Sequence, residues 1–334
     1  MCLRVYRSGW LTPEHPDPRG EQLVAFADVM QRERQCCRGG GEWCFFFCCF
    51  CLPGCCPGYA PFGLPCYGQR CCESASAFPG GEFMVFYDYA SLPQKDEEGK
   101  RTEAEGAAFG SALDTMGTWY AHKLATTVAL DEVPKGWPTA TPYEQRGWTT
   151  FESAVSALVK ESAFQSWAKH VRASATGRQG ESKALGGSVR PPPVHPEAFA
   201  ATLARKIFTN GKSDCELVAG LYADTLEGAF GGAEILSFAQ AGWGDAEMKQ
   251  LAAVLPMARR LRFLDTDGNR DVGGDGWHAL AAAIEGGAAP RLEFIYPCSS
   301  GINPAWPTSD GGALQKACEA RGIKLGSGVS TENR

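Results

Sequence analysis

Apolar residues recur along this chain in two short rhythms and one long one, and each predicts a different kind of element. Leu23, Phe26, Ala27 and Met30 stand three and four apart within residues 22–30, the spacing that puts side chains on one face of an α-helix. The unbroken run Phe83, Met84, Val85, Phe86 and Tyr87, closed by Asp88, predicts a strand buried on both faces. Phe109, Leu113, Met116 and Tyr120 follow at intervals of four, three and four, which predicts a helix beginning near Glu103. Residues 126–130 read as a β-branched strand and Pro138 and Pro142 mark a loop. Phe151, Val155, Leu158 and Val159 then form another helical stripe. Helices alternating with strands favour an α/β fold built on a parallel sheet.

The second half is set off by Gly, Ser and basic residues over 173–196, which end in Pro191, Pro192, Pro193 and Pro196 and read as a linker. Helices are expected over 197–207 and 216–226, with Thr209, Asn210 and Gly211 as the turn between them. The long rhythm begins at Ala233. Ile235 and Leu236 precede Gly244-Asp245 and Leu251; Phe263 and Leu264 precede Asn269, Gly274-Asp275 and Leu280. The offset is 28 residues from Leu236 to Leu264 and 29 from Leu251 to Leu280. A degenerate third unit runs from Leu292 and Phe294 to Leu314 and Ala317. Each unit is a short strand, a turn with Gly and Asp or Asn, and an Ala/Leu helix. That plan resembles a ribonuclease-inhibitor-type leucine-rich repeat, a short α/β solenoid.

Composition adds boundaries. All but Cys2, Cys215, Cys298 and Cys318 of the 15 cysteines fall within residues 36–72. Residues 35–81 show no helical or strand period and read as a disordered insert in the first domain. Zinc knuckles are separated C-x-x-C pairs, and the tandem pairs Cys36-Cys37, Cys48-Cys49, Cys55-Cys56 and Cys71-Cys72 do not supply them, so no metal is expected. A net charge of −6 argues against nucleic acid as a partner. The apolar run 43–52 is about half of what a membrane span needs, and residues 1–10 hold Arg4 and Arg7 without the apolar core of a signal peptide. A cytoplasmic protein is expected.

Residues 3–158, less the insert, resemble the TIR superfamily, with likeness to its fungal heterokaryon-incompatibility relatives. The matching features are the strand ending in Val85-Phe86-Tyr87-Asp88, the helix ending at Tyr120, the strand 126–130, and the W-x-x-x-E of Trp148 and Glu152. The resemblance implies a flavodoxin-like parallel sheet, normally of five strands. Residues 4–10 make a poor first strand, and no fourth or fifth strand is evident after Lys160. The resemblance also implies two activities, self-association in signalling and cleavage of the nicotinamide–ribose bond of NAD. For the second, Glu152 would be the catalytic acid.

Such a carboxylate stabilises the oxocarbenium-like charge of glycosidic cleavage; as a first-turn acid it also fits a purely structural part against the helix dipole. Glu152 is expected about 100° round the helix from Phe151, facing a cleft. Asp88 stands at the carboxyl end of a strand, where open α/β sheets bind ligands. Ser91 follows it, and Arg146 and Trp148 could stack on an adenine or a partner ring, with a packing anchor as the other reading of Trp148.

Other chemistry is excluded. Asp265, Asp267, Asn269 and Asp271 imitate a calcium loop, but Arg270 stands where a glycine must turn and Gly276 where a glutamate must close the site. In the repeat, Leu264 packs inward and Asn269 bonds backbone. No phosphate-binding loop or nucleophile elbow is present. The expected organisation is therefore a TIR-like α/β domain over 1–172, a linker over 173–196, a helical cap over 197–232, and about three repeats over 233–326. The expected function is intracellular signalling through homotypic association and repeat-mediated protein binding. NAD glycohydrolysis is the alternative, with NAD as substrate and no resident cofactor; a nucleotide-binding pseudo-enzyme is a weaker one.

Overall fold

The computed structural model describes residues 3–8, 17–24, 27, 84–130, 136–137, 141–160, 169–171, 190–297 and 311–326. The Cys-rich segment 35–81 and most of the linker lie outside these residues, as does the end of the 22–30 helix; its described residues, 21–24 and 27, are helical.

The first sheet contains β1 (Leu3–Ser8), β2 (Met84–Tyr87), β3 (Ala125–Leu130) and β4 (Lys169–Val171). All pairs are parallel, in the order β2-β1-β3-β4. Two features differ from expectation. The weakly patterned opening residues form a central strand, because β1 is paired on both sides, Val5 with Phe86 and with Thr127. A fourth strand exists after Lys160, where none is evident in the sequence, because Lys169–Val171 is defined by pairing to Val128–Leu130 rather than by any apolar run of its own.

Three helices belong to this sheet: the short α1 (Asp88–Ser91), α2 (Glu103–Ala121) and α3 (Gly147–Ser156). The Thr102–Glu105 capping box starts α2: Glu105 N donates to the Thr102 hydroxyl at 3.3 Å and Thr102 N to the Glu105 carboxylate at 2.9 Å. Successive right-handed crossovers in one direction put α2 and α3 on the same sheet face, and the two helices pack together. The predicted stripes supply the buried side chains Met116, Tyr120, Phe151 and Val155; α3 stops at Ser156, and Leu158 and Val159 are buried in the turn beyond it.

A second parallel sheet runs strictly in chain order, β5 (Ile235–Ser237), β6 (Phe263–Asp265), β7 (Phe294–Tyr296) and β8 (Lys324–Leu325). Leu236, Leu264, Ile295 and Leu325 stand in register. The helices α6 (Asp245–Val254), α7 (Gly274–Glu285) and α8 (Gly311–Arg321) follow the first three strands in turn. Strands of two or three residues cannot bury a face alone, so lateral bonds hold the stack. Asn269 is buried, with its Nδ2 donating to Phe238 O and Thr266 O, each at 2.9 Å, while its Oδ1 accepts Trp243 N at 3.1 Å. Of the calcium-like residues, Asn269 is thus spent on backbone, and Asp265 Oδ1 accepts Asp267 N at 3.1 Å.

Between the two sheets stand α4 (Pro196–Leu203) and α5 (Lys212–Thr225). They pack on each other, and α5 also packs against α2 and α3. Buried apolar residues from Phe86 to Ile323 form one contiguous cluster. Close backbone approach makes this possible: a Cβ at Gly117 would lie 1.8 Å from Thr225 Oγ1, and one at Gly147 would lie 1.8 Å from the Phe208 ring.

Candidate functional site

The order β2-β1-β3 reverses the direction of chain progression at β1, and ligands of open α/β sheets bind at the carboxyl ends of strands beside such a switch. Asp88 occupies the first turn of α1, at the carboxyl end of β2, and is half-buried. Ser91 lies on the same turn, where its Oγ accepts Tyr87 N at 3.1 Å. Arg146 is the N-cap of α3, which follows β3, with Trp148 in its first turn and Glu152 in its second, so Glu152 is not the first-turn acid expected from the sequence. The five residues therefore form two groups on strands separated by β1, about 10 Å apart in the sheet.

Glu152 is only 6% exposed. It does lie round the helix from Phe151, but α3 is covered on more than one side, by β1, α2 and α5, so this position is buried too. One turn further, Ser156 Oγ lies 2.8 Å from Thr127 Oγ1, which also accepts Lys160 Nζ at 2.9 Å. Thr127, Ser156 and Lys160 are all buried. The Glu152 side of α3 thus borders a sealed polar cluster between helix and sheet. A fully buried lysine is costly unless hydrogen-bonded, and its bond to the Thr127 hydroxyl moderates that cost.

Arg146 is half-buried; its Nε donates to Thr141 O at 2.9 Å, and burial pulls its guanidinium below the usual range. Trp148 meets Phe151 edge to face, ring centroids 6.3 Å apart, and its Nε1 donates to Asp214 Oδ2 at 3.2 Å. This geometry shows the packing contact expected of Trp148 and adds a polar contact to Asp214 that the sequence did not suggest. Residues 206–214 form a strap across the leading turn of α3. Gly147 N donates to Ile207 O at 3.0 Å, Ile207 N to Gln145 O at 2.8 Å, and Lys206 Nζ to Glu144 O at 2.6 Å. The strap supplies a partner for the first amide of α3, a group that helices otherwise leave unsatisfied. Nothing in the sequence flags it, because the pairing joins residues sixty positions apart through backbone atoms.

Arg190 was also illegible in the sequence. It is 1% exposed, its Nε donates to Ala157 O at 3.0 Å and its Nη1 to Ser237 O at 2.7 Å, and Nη2 also bonds Ala157 O. Its guanidinium lies 4.5 Å from the Phe238 ring centroid. Ala157 is the C-cap of α3, so the cation sits where the helix dipole is negative. Desolvation pulls its pKa down to about 9, which leaves it charged at neutral pH. Arg190 thereby ties α3 to β5, the first sheet's helix to the second sheet.

The second sheet presents a different surface. Ile235 is 55% exposed, and Phe263, Phe294 and Tyr296 are half-buried beside it. The Phe263 ring lies 5.2 Å from Phe294 and 5.1 Å from Tyr296. Lys324 covers one end, 5.2 Å from the Phe294 centroid, while Arg260–Glu234 and Arg262–Glu293 pair along the border at 2.9 and 2.8 Å.

Among the described residues no helix is long and apolar enough to cross a membrane, and no group of three His, Cys, Asp or Glu could hold a metal. Comparison with family models, with curated proteins and with solved structures gives no match for this chain.

Proposed function

We propose that this chain is an intracellular signalling and interaction protein, acting through TIR-like self-association of its first sheet unit and protein binding by a leucine-rich-type repeat unit. One observation supports this reading above the rest. A four-stranded parallel sheet in flavodoxin-like order and a strictly sequential sheet of repeats stand in one chain, and the repeats carry a row of exposed Ile235 and half-buried Phe263, Phe294 and Tyr296. Aromatic residues presented on a rigid sheet are the side chains that protein interfaces favour. Their bordering charges are already paired within the chain, which directs specificity toward an apolar partner. The partners are proteins and the compartment is the cytoplasm.

The alternative, cleavage of NAD with Glu152 as acid and Asp88, Ser91, Arg146 and Trp148 around the nucleotide, is less well supported. At 6% exposure Glu152 has little room to meet a ribose, and Trp148 is engaged by Asp214. Full-length protein incubated with NAD at high protein concentration is expected to release no nicotinamide. Release that disappears in Glu152→Ala would establish the enzyme instead. A pseudo-enzyme holding a nucleotide at Asp88 would show binding without release.

A further inference from the structure

A shallow open cleft lies where the strap meets the turn before α3. Its volume is about 290 Å³ and its lining is Gln145, Thr202, Arg205, Lys206 and Ile207. The chain as a whole carries a net charge of −6, yet the charged side chains lining this cleft are both basic. No carboxylate side chain joins them, and no salt bridge among the described residues holds Arg205.

We propose that this cleft binds a phosphate group, free or carried on a small molecule. Donor capacity supports phosphate. Arg205 is exposed and offers a planar fork of N–H groups suited to a tetrahedral oxyanion. Lys206 spends one ammonium proton on Glu144 O and keeps two of three. The exposed Gln145 side-chain amide adds two more donors. The Thr202 hydroxyl gives its proton to Ala198 O at 3.0 Å and contributes shape rather than a donor.

The walls are fixed before any ligand arrives. Arg205 N donates to Thr202 O at 3.1 Å, Lys206 N to Leu203 O at 2.9 Å, and the Ile207–Gln145 and Gly147–Ile207 bonds join one wall to the other. Preorganisation of this kind lowers the entropic cost of binding. Ile207, 52% exposed, gives the cleft an apolar side against which the body of a phosphorylated molecule can rest. Small-molecule pockets run from roughly 300 to 1,000 Å³, so this open cleft has room for a phosphate group, with the rest of a larger ligand resting outside it.

Isothermal titration of the full-length chain at low ionic strength tests this, with inorganic phosphate, adenosine monophosphate and adenosine as titrants. Saturable binding of both phosphate compounds and none of adenosine is expected, weakening as salt rises. Tighter binding of the nucleotide assigns a phosphorylated small molecule, and equal binding assigns the free anion. Arg205→Gln and Lys206→Met should each weaken binding at least tenfold with unchanged thermal melting, and Gln145→Glu, which places a carboxylate in the lining, should abolish it. Arg259→Gln, on a surface pair with Glu227, should change nothing. No binding of either phosphate compound at millimolar concentration overturns the proposal, as does an equal loss in Arg259→Gln and Arg205→Gln.

Discussion

Asn269 shows how much one amide can hold. It satisfies two carbonyls and one backbone N–H in a place water does not reach. Leaving a buried polar group unsatisfied costs about 1–3 kcal/mol, so Asn269→Ala should lower the unfolding free energy by about 3 kcal/mol in denaturant titration. The exposed Asn210, changed to Ala, should stay within about 0.5 kcal/mol of the parent. Arg190→Met should cost about 2–4 kcal/mol, since it strips partners from Ala157 O and Ser237 O and leaves a long apolar chain in their place. Asn269 was legible because its position within a repeating unit implied a backbone role. Arg190 was not, because a basic residue at the end of a Gly/Ser/Pro stretch reads as solvated, and only the fold reveals that it ends up between two sheets.

At the scale of elements, apolar periodicity announced α2, α3, β2 and β3. Strands that periodicity does not mark, β1, β4 and β8, exist through pairing with neighbours, information that a local window lacks. The Gly-Asp pairs at 244–245 and 274–275 were visible as turns, but their use is lateral. Asp245 Oδ1 accepts Gly273 N at 2.7 Å and Gly276 N at 2.9 Å, capping the next unit's helix. The strap imposes a steric demand: Gly147→Val drives a side chain into the Phe208 ring and should destabilise by about 1–3 kcal/mol, with loss of hydrogen-exchange protection at Gly147.

Acid acts on the repeat stack through its exposed pairs. Lys249 holds Asp275 below its usual 3.8, and Arg262 holds Glu293 below its usual 4.5. A depressed carboxylate stabilises the fold above its unfolded value and loses that contribution as pH falls through the folded value. Thermal melting followed from pH 6 downward should therefore decline below about pH 4, less steeply in high salt, which screens surface pairs.

For the whole molecule, the two sheets share one buried cluster, with α4 and α5 between them and Arg190 across the seam. The sequence marked the change of pattern near residues 173–196 but carried no sign that both sides would close on a common core, since the approach of α5 to α2 depends on Gly117, and that of the strap to α3 on Gly147, being small enough. Under the proposed function, a partner on the repeat face would bear on α3 and the first sheet through this shared core, joining repeat binding to self-association. The self-association at the centre of this account is most directly tested by sedimentation velocity of the full-length chain over a wide concentration series. The account predicts a reversible rise in weight-average mass above that of the monomer as concentration increases. A mass that stays monomeric throughout the series would contradict it.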